Sequence, residues 1–134
     1  MKLIVCLGDD GGMLFNRRRQ SRDRVLIADM ICHTQSTPLW VSPYSAPLFG
    51  DGCPGLCVDA NPASSAQKGE FCFVEDTALP RDLAAVEEII IYRWNRLYPS
   101  DTYFTCDTSA FSLQESREFA GSSHDKITKE IWKR

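Results

Sequence analysis

Two stretches limit what this chain can fold into. Residues 2–7, Lys-Leu-Ile-Val-Cys-Leu, form an almost unbroken apolar run, and residues 88–94 contain Ile-Ile-Ile-Tyr, the strongest strand signal in the sequence. A strand with one wet face alternates apolar and polar residues, whereas a strand covered on both faces reads as a continuous apolar run. These segments therefore predict central strands of an α/β domain, with a mostly parallel sheet flanked by helices. The chain has 134 residues, 43% apolar and 25% charged, which suits one such domain over residues 1–134. It contains neither a repeat nor a linker able to divide it.

Weaker signals fill in the rest. Ser21 is a candidate N-cap for a helix running to about Cys32, with Val25, Leu26, Ile27, Met30 and Ile31 as its apolar face. Leu39–Val41, Leu56–Val58 and Phe71–Val74 read as short strands. Residues 42–49 read as a proline-bracketed turn or short helix, and residues 60–69 as a loop with at most one helical turn. Pro80 is expected to open a helix over Arg81–Val86, and Phe111–Phe119 to be an edge strand. Residues 122–134 admit two readings. Ser122 with Asp125 resembles a capping box, and Ile127 with Ile131 favours a helix; the alternative is a hairpin arm turning at Ser122–His124.

The net charge of −3 argues against a generic nucleic-acid binder, but the charge is unevenly spread. Residues 16–24 hold five arginines and one aspartate, a concentrated basic spot on an acidic body. No apolar run is long enough to span a membrane. The first apolar run is also shorter than the roughly 7–15 residues of an export signal. The expectation is a cytoplasmic protein with its six cysteines as thiols.

The opening of the chain, Leu3-Ile4-Val5-Cys6-Leu7, then an Asp/Gly loop, Gly12-Met13-Leu14, Asn16 and an early helix, resembles that of the dihydrofolate reductases. Glu88–Arg93 followed by Asp101-Thr102-Tyr103-Phe104 is similar to a strand and a "D-T-x-F" segment of the same family. The resemblance covers about a third of the chain and implies a reduced version of that fold. It implies a nicotinamide cofactor, a pterin-like substrate and Asp23 as the proton-handling carboxylate. The family's phosphate-cradling Gly-Gly turn is replaced here by Glu75-Asp76 after the strand Phe71–Val74. Those carboxylates would repel a phosphate.

The residues themselves favour another reading. Asn16, Arg17, Arg18, Arg19 and Arg22 lead into a helix N-terminus, where free N–H groups and the macrodipole attract anions. Arginine adds planar, bidentate donors suited to phosphate. Arg18 and Arg22 would share a face if the helix began early. Ser122, Ser123 and His124 offer a second anion contact if they open a helix. The main expectation is thus a binder of a phosphorylated ligand, a nucleotide or RNA. The alternatives are an NADPH-dependent reductase and a non-enzymatic interaction module. The residues themselves identify no cofactor. Asp9 and Asp10, after the first strand, are weak Mg²⁺ candidates in what is otherwise an Asp/Gly turn. Cys53 and Cys57 lack the second ligand pair of a zinc site. Gly-x-Ser-x-Gly is absent, and near Ser122–His124 the sequence supplies only Asp125 as an orienting acid, so a hydrolytic triad is not expected.

Overall fold

The computed structural model describes residues 1–134. Its strands are β1 (Lys2–Leu7), β2 (Gly12–Phe15), β3 (Arg18–Arg19), β4 (Leu39–Val41), β5 (Leu56–Val58), β6 (Phe71–Phe73), β7 (Glu88–Arg93), β8 (Thr102–Tyr103), β9 (Ser112–Phe119) and β10 (Ile127–Lys133). The helices are α1 (Arg24–Thr34) and the one-turn α2 (Pro62–Ser65), with a 3-10 turn at Ala46–Leu48. Seven strands form the main sheet in the order β5-β4-β6-β1-β7-β10-β9. The pairings from β5 to β7 are parallel, and β10 joins β7 and β9 antiparallel. A second, small sheet of order β3-β2-β8 sits beside it.

The two apolar runs do lie at the centre. Lys2–Leu7 pairs residue for residue with Glu88–Arg93. Pleating sends Leu3, Val5 and Leu7 to one face and Ile4 to the other. The Ile4 face, to which β10 adds Ile127 and Ile131, is covered by α1 through Leu26 and Met30, together with Phe49. The Leu3 face has no long helix. Met13 and Leu14 from β2, and Leu83, Val86 and Phe111 from irregular segments, close it, with α2 contributing Ala63.

Two sequence expectations fail and one open choice is decided, each for an identifiable reason. No helix forms at Arg81–Val86. Asp82 instead receives the backbone N–H of Ala84 (2.9 Å), while Leu83 and Val86 are both buried. So short a segment gains too few helical bonds to offset nucleation, and the two side-chain anchors decide its path. Of the two readings of residues 122–134, the hairpin arm is the one observed: residues 127–133 form a strand paired antiparallel with β9. Ile127 and Ile131 fit both periods, and the intervening inward residue is Lys129, whose charge disguised the alternation. Finally, α1 begins at Arg24 with Asp23 as its N-cap, so Ser21 lies outside it. Arg18 is in β3, and it shares no helical face with Arg22.

Candidate functional site

In open α/β sheets, ligands collect where parallel strands end at their carboxyl side. Here β1 ends at Leu7, β4 at Val41, β6 at Phe73 and β7 at Arg93, and the N-terminus of α1 follows from the β2–β3 hairpin.

At this edge the Asp23 carboxylate is wholly enclosed. Its Oδ1 accepts from the N–H groups of Val25 (2.9 Å), Leu26 (3.2 Å) and Ser122 (3.0 Å). Its Oδ2 accepts from the Ser123 N–H (2.8 Å) and from His124 Nδ1 (3.0 Å). One side chain thereby caps α1 and fastens the loop between β9 and β10. Burial alone would raise its pKa; the donors of Ser123, Ser122, His124 and Leu26 overcome this and hold it far below the ordinary carboxylate range. Gly121 is needed beside it, because a Cβ there would lie 2.8 Å from the Asp23 Cγ.

The His124 ring continues the chain of contacts. Its side chain is 4% exposed. It stacks on Trp94 with centroids 4.5 Å apart. A carboxylate accepts only, so Nδ1 is the donor toward Asp23. In the neutral ring Nε2 is then an acceptor, and it meets both Ser21 Oγ (3.0 Å) and the Tyr98 hydroxyl (2.9 Å).

The β2–β3 hairpin carries the basic residues. Asn16 and Arg17 both have positive φ (51° and 63°) and form its two-residue tip. Arg19 points inward. Its Nε and Nη2 each donate to a Glu75 oxygen at 3.0 Å, and its guanidinium lies 4.2 Å from the centre of the Tyr44 ring. Glu75 also accepts from Ser45 Oγ (2.7 Å), and Asp76 from Ser42 Oγ (2.6 Å). This pair is largely buried, with side-chain exposures of 19% and 9%. Arg19 is therefore engaged internally.

Arg17, Arg18, Arg22 and Arg24 form no ion pair. Arg18 lines an open cleft of about 460 Å³ with Phe15, Asn16, Arg19, Gln20, Tyr98 and Pro99. Arg22 and Arg24 line a second recess of about 360 Å³ with Ile27, Ser122 and Ser123. Ser122 and Ser123 lie in a hairpin loop, so the anion contact expected from a helix start there does not exist. Their N–H groups go to Asp23, and Ser122 Oγ accepts from the Arg24 N–H (3.0 Å). Asp10 accepts from the Gly12 N–H (2.9 Å) as a turn residue, and Asp9 is exposed. No three His, Cys, Asp or Glu side chains converge as a metal site would require.

Structure thus brings together Asp23, Ser122, Ser123 and His124, and separates Arg19 from the other arginines. Sequence reasoning missed Ser21, Trp94 and Tyr98 as neighbours of His124. No local signal announces them, because their separations from His124 are 103, 30 and 26 residues.

No family model matches the chain, and no curated protein matches it. Among solved structures it is similar to the dihydrofolate reductase from Enterococcus faecalis complexed with NADP(H) and RAB-propyl. The two are 12% identical, the match covers 99% of this chain and 95% of that one, and the TM-score is 0.72. The chain therefore has a fold of the dihydrofolate reductase type. No helix is long and apolar enough to cross a membrane.

Proposed function

We propose that this chain binds a phosphorylated, nucleotide-like ligand in the cleft beside the β2–β3 hairpin. The observation carrying this reading is that Arg18 lines that cleft without an ion-pair partner, together with the aromatic side chains of Phe15 and Tyr98. A guanidinium holds phosphate oxygens bidentately, and an aromatic ring stacks on a base. Arg17 at the hairpin tip, and Arg22 and Arg24 in the second recess, extend the same positive field. The acidic remainder of the surface disfavours long nucleic acids, so a mononucleotide or a short RNA segment fits best.

A second reading, an NADPH-dependent reductase, is favoured by the likeness of fold and by Asp23 at the start of α1. The residues present do not fit that cofactor. Where a diphosphate would need glycine N–H groups after β6, Val74 leads into Glu75 and Asp76, and Glu75 is held by Arg19 and Ser45. Asp23 has no free oxygen to turn toward a substrate ring, since both are committed to backbone and imidazole donors.

The test is a thermal-shift titration at low salt with NADPH, folate, nucleotides, a short RNA and inorganic phosphate. A ligand that binds the native state raises the midpoint by mass action. A nucleotide or RNA shift that vanishes in Arg17→Ala/Arg18→Ala, and weakens with salt in the wild type, is the expected result. Unchanged affinity in that double variant refutes the reading. A shift with NADPH or folate instead favours the reductase, and no shift with any of them leaves an interaction module.

A further inference from the structure

Ser21, His124 and Asp23 meet the geometric requirements of a nucleophile, a base and an orienting acid. Ser21 Oγ is 3.0 Å from His124 Nε2, and His124 Nδ1 is 3.0 Å from Asp23 Oδ2. The carboxylate fixes the tautomer that leaves the Nε2 lone pair facing the hydroxyl. The imidazole is nearly enclosed, and Trp94 holds its plane. Ser21 itself is only half-buried. The backbone N–H groups of Ser21 and Arg22 donate to no protein acceptor. They are unpaired donors at the nucleophile and its chain neighbour, the kind of group that stabilises a developing oxyanion. Ser21 lines a recess of about 10 Å³, room for roughly one water, with Cys6, Met13, Arg19 and Gln20; the last two also line the larger cleft, from which an ester has to reach the hydroxyl. Gln20 Oε1 is buried without a partner, leaving an acceptor in the same recess for a water.

We propose that Ser21, His124 and Asp23 form an acyl-transfer site that hydrolyses small carboxylic esters. Ser21 Oγ attacks the ester carbonyl carbon, and its proton passes to His124 Nε2. The tetrahedral adduct collapses, the C–O bond to the alcohol breaks, and the alcohol leaves with that proton. A water then attacks the acyl-serine. His124 takes one water proton and returns it to Ser21 Oγ as the free acid departs. Tyr98 competes for Nε2 in the resting state, so the attacking hydroxyl is engaged for part of the time only. An anionic group on the ester is preferred, because Arg18 lines the adjoining cleft; this preference alone rests on the proposed function above.

The experiment uses a neutral fluorophosphonate, followed by intact-mass and peptide mapping: an activated serine oxygen attacks its phosphorus, an O–P bond forms, and fluoride leaves as the P–F bond breaks. One adduct at Ser21 is expected. Ser21→Ala, a small change at a half-buried position, abolishes it. His124→Gln slows labelling about a hundredfold or more, the usual contribution of a general base. Asp23 is a positioning residue: Asp23→Asn slows labelling and lowers kcat for p-nitrophenyl acetate while KM is unchanged, a split that a merely structural role would not give. Circular dichroism of each variant checks folding, and Arg96, Asp125 and Lys126 beside the ring are left in place. Wild-type protein that takes up no adduct, or takes it up elsewhere with Ser21→Ala unaffected, overturns the proposal. Because the probe is uncharged, such a failure is independent of the arginine cleft. p-Nitrophenyl acetate turnover that follows the same variants completes the assignment.

Discussion

Replacing Asp23 with alanine removes one side chain that serves two separate segments. The loss of a helix N-cap costs typically about 1 kcal/mol. Here the cap satisfies the N–H groups of both Val25 and Leu26. His124 Nδ1, nearly enclosed, loses its acceptor as well, at about 1–2 kcal/mol for an unmet buried donor. Ser122 and Ser123 are exposed enough for water to take over their N–H groups, so together they add roughly 1 kcal/mol. The total is about 3–4 kcal/mol. For a domain of this size that lowers Tm by roughly 10–15 °C. Urea unfolding followed by circular dichroism gives the free energy directly. Asp23→Asn keeps an oxygen for the helix and loses the charge, so its loss is intermediate. A double-mutant cycle with His124→Ala isolates the imidazole contact. If Asp23→Ala costs less than about 1 kcal/mol, then the carboxylate does not hold the β9–β10 loop, and the account of this edge fails.

Further consequences can be tested together. Stability should fall in two stages as the solution is acidified. Burial, assisted by Lys129, lowers the pKa of His33. Its contribution is present above pH 6.5 and is lost as pH falls below that value, so His33→Gln flattens the limb between pH 5 and 7. Burial would raise the pKa of Asp29, but Tyr92, Lys129 and Arg117 lower it. It and Asp23 therefore contribute above their usual value of 3.8, and both contributions disappear as pH falls below it. A urea midpoint that stays constant from pH 7 to 3 would contradict both assignments. Glu75→Gln should destabilise by about 2 kcal/mol, less than full loss of a buried partner, because the amide still accepts one bond. The same change releases Arg19, and isothermal titration should read tighter phosphate binding. Arg17→Gly relieves the positive φ of the hairpin tip and should stabilise by about 0.5–1 kcal/mol in thermal unfolding. A lower Tm there would mean that the tip does not hold this conformation. Ile90, fully buried under α1, should lose about 2–5 kcal/mol on change to alanine, whereas exposed Leu97 should lose almost nothing.

The sheet was legible where burial is symmetrical. Lys2–Leu7 and Glu88–Arg93 are apolar on both faces, and no surface pattern competes with that signal. The short strands β4, β5 and β6 were legible because glycines and prolines punctuate the sequence around them. What remained hidden depended on distant partners. Lys129 points inward because Asp29 lies across from it at 2.9 Å, and nothing in residues 127–133 signals that contact. The small sheet escaped notice because β3 and β8 have two residues each, too few for any periodicity. The arginine run was legible as charge but not as geometry. The sequence ranks Arg17, Arg18 and Arg19 alike, whereas folding sends Arg19 to Glu75, 56 residues away, and leaves Arg18 in the cleft. Asp23 was marked for proton handling through resemblance; its saturation by the Ser122 and Ser123 N–H groups and the His124 ring depends on a hairpin that a helical reading of that segment removes.

The knot around Asp23 also governs the order of events in folding. Its two sets of donors lie 2–3 and 99–101 residues away. α1 can close its first turn locally, but its N-terminus acquires its full set of contacts only after β10 has slotted between β7 and β9. Closing a loop of that length is entropically slow, and non-local parallel pairing such as β1 with β7 already places the chain among slow folders. The N-terminal end of the helix therefore gains its last contacts in the step that docks the last hairpin. Tension applied to that hairpin would release the same end of α1 first.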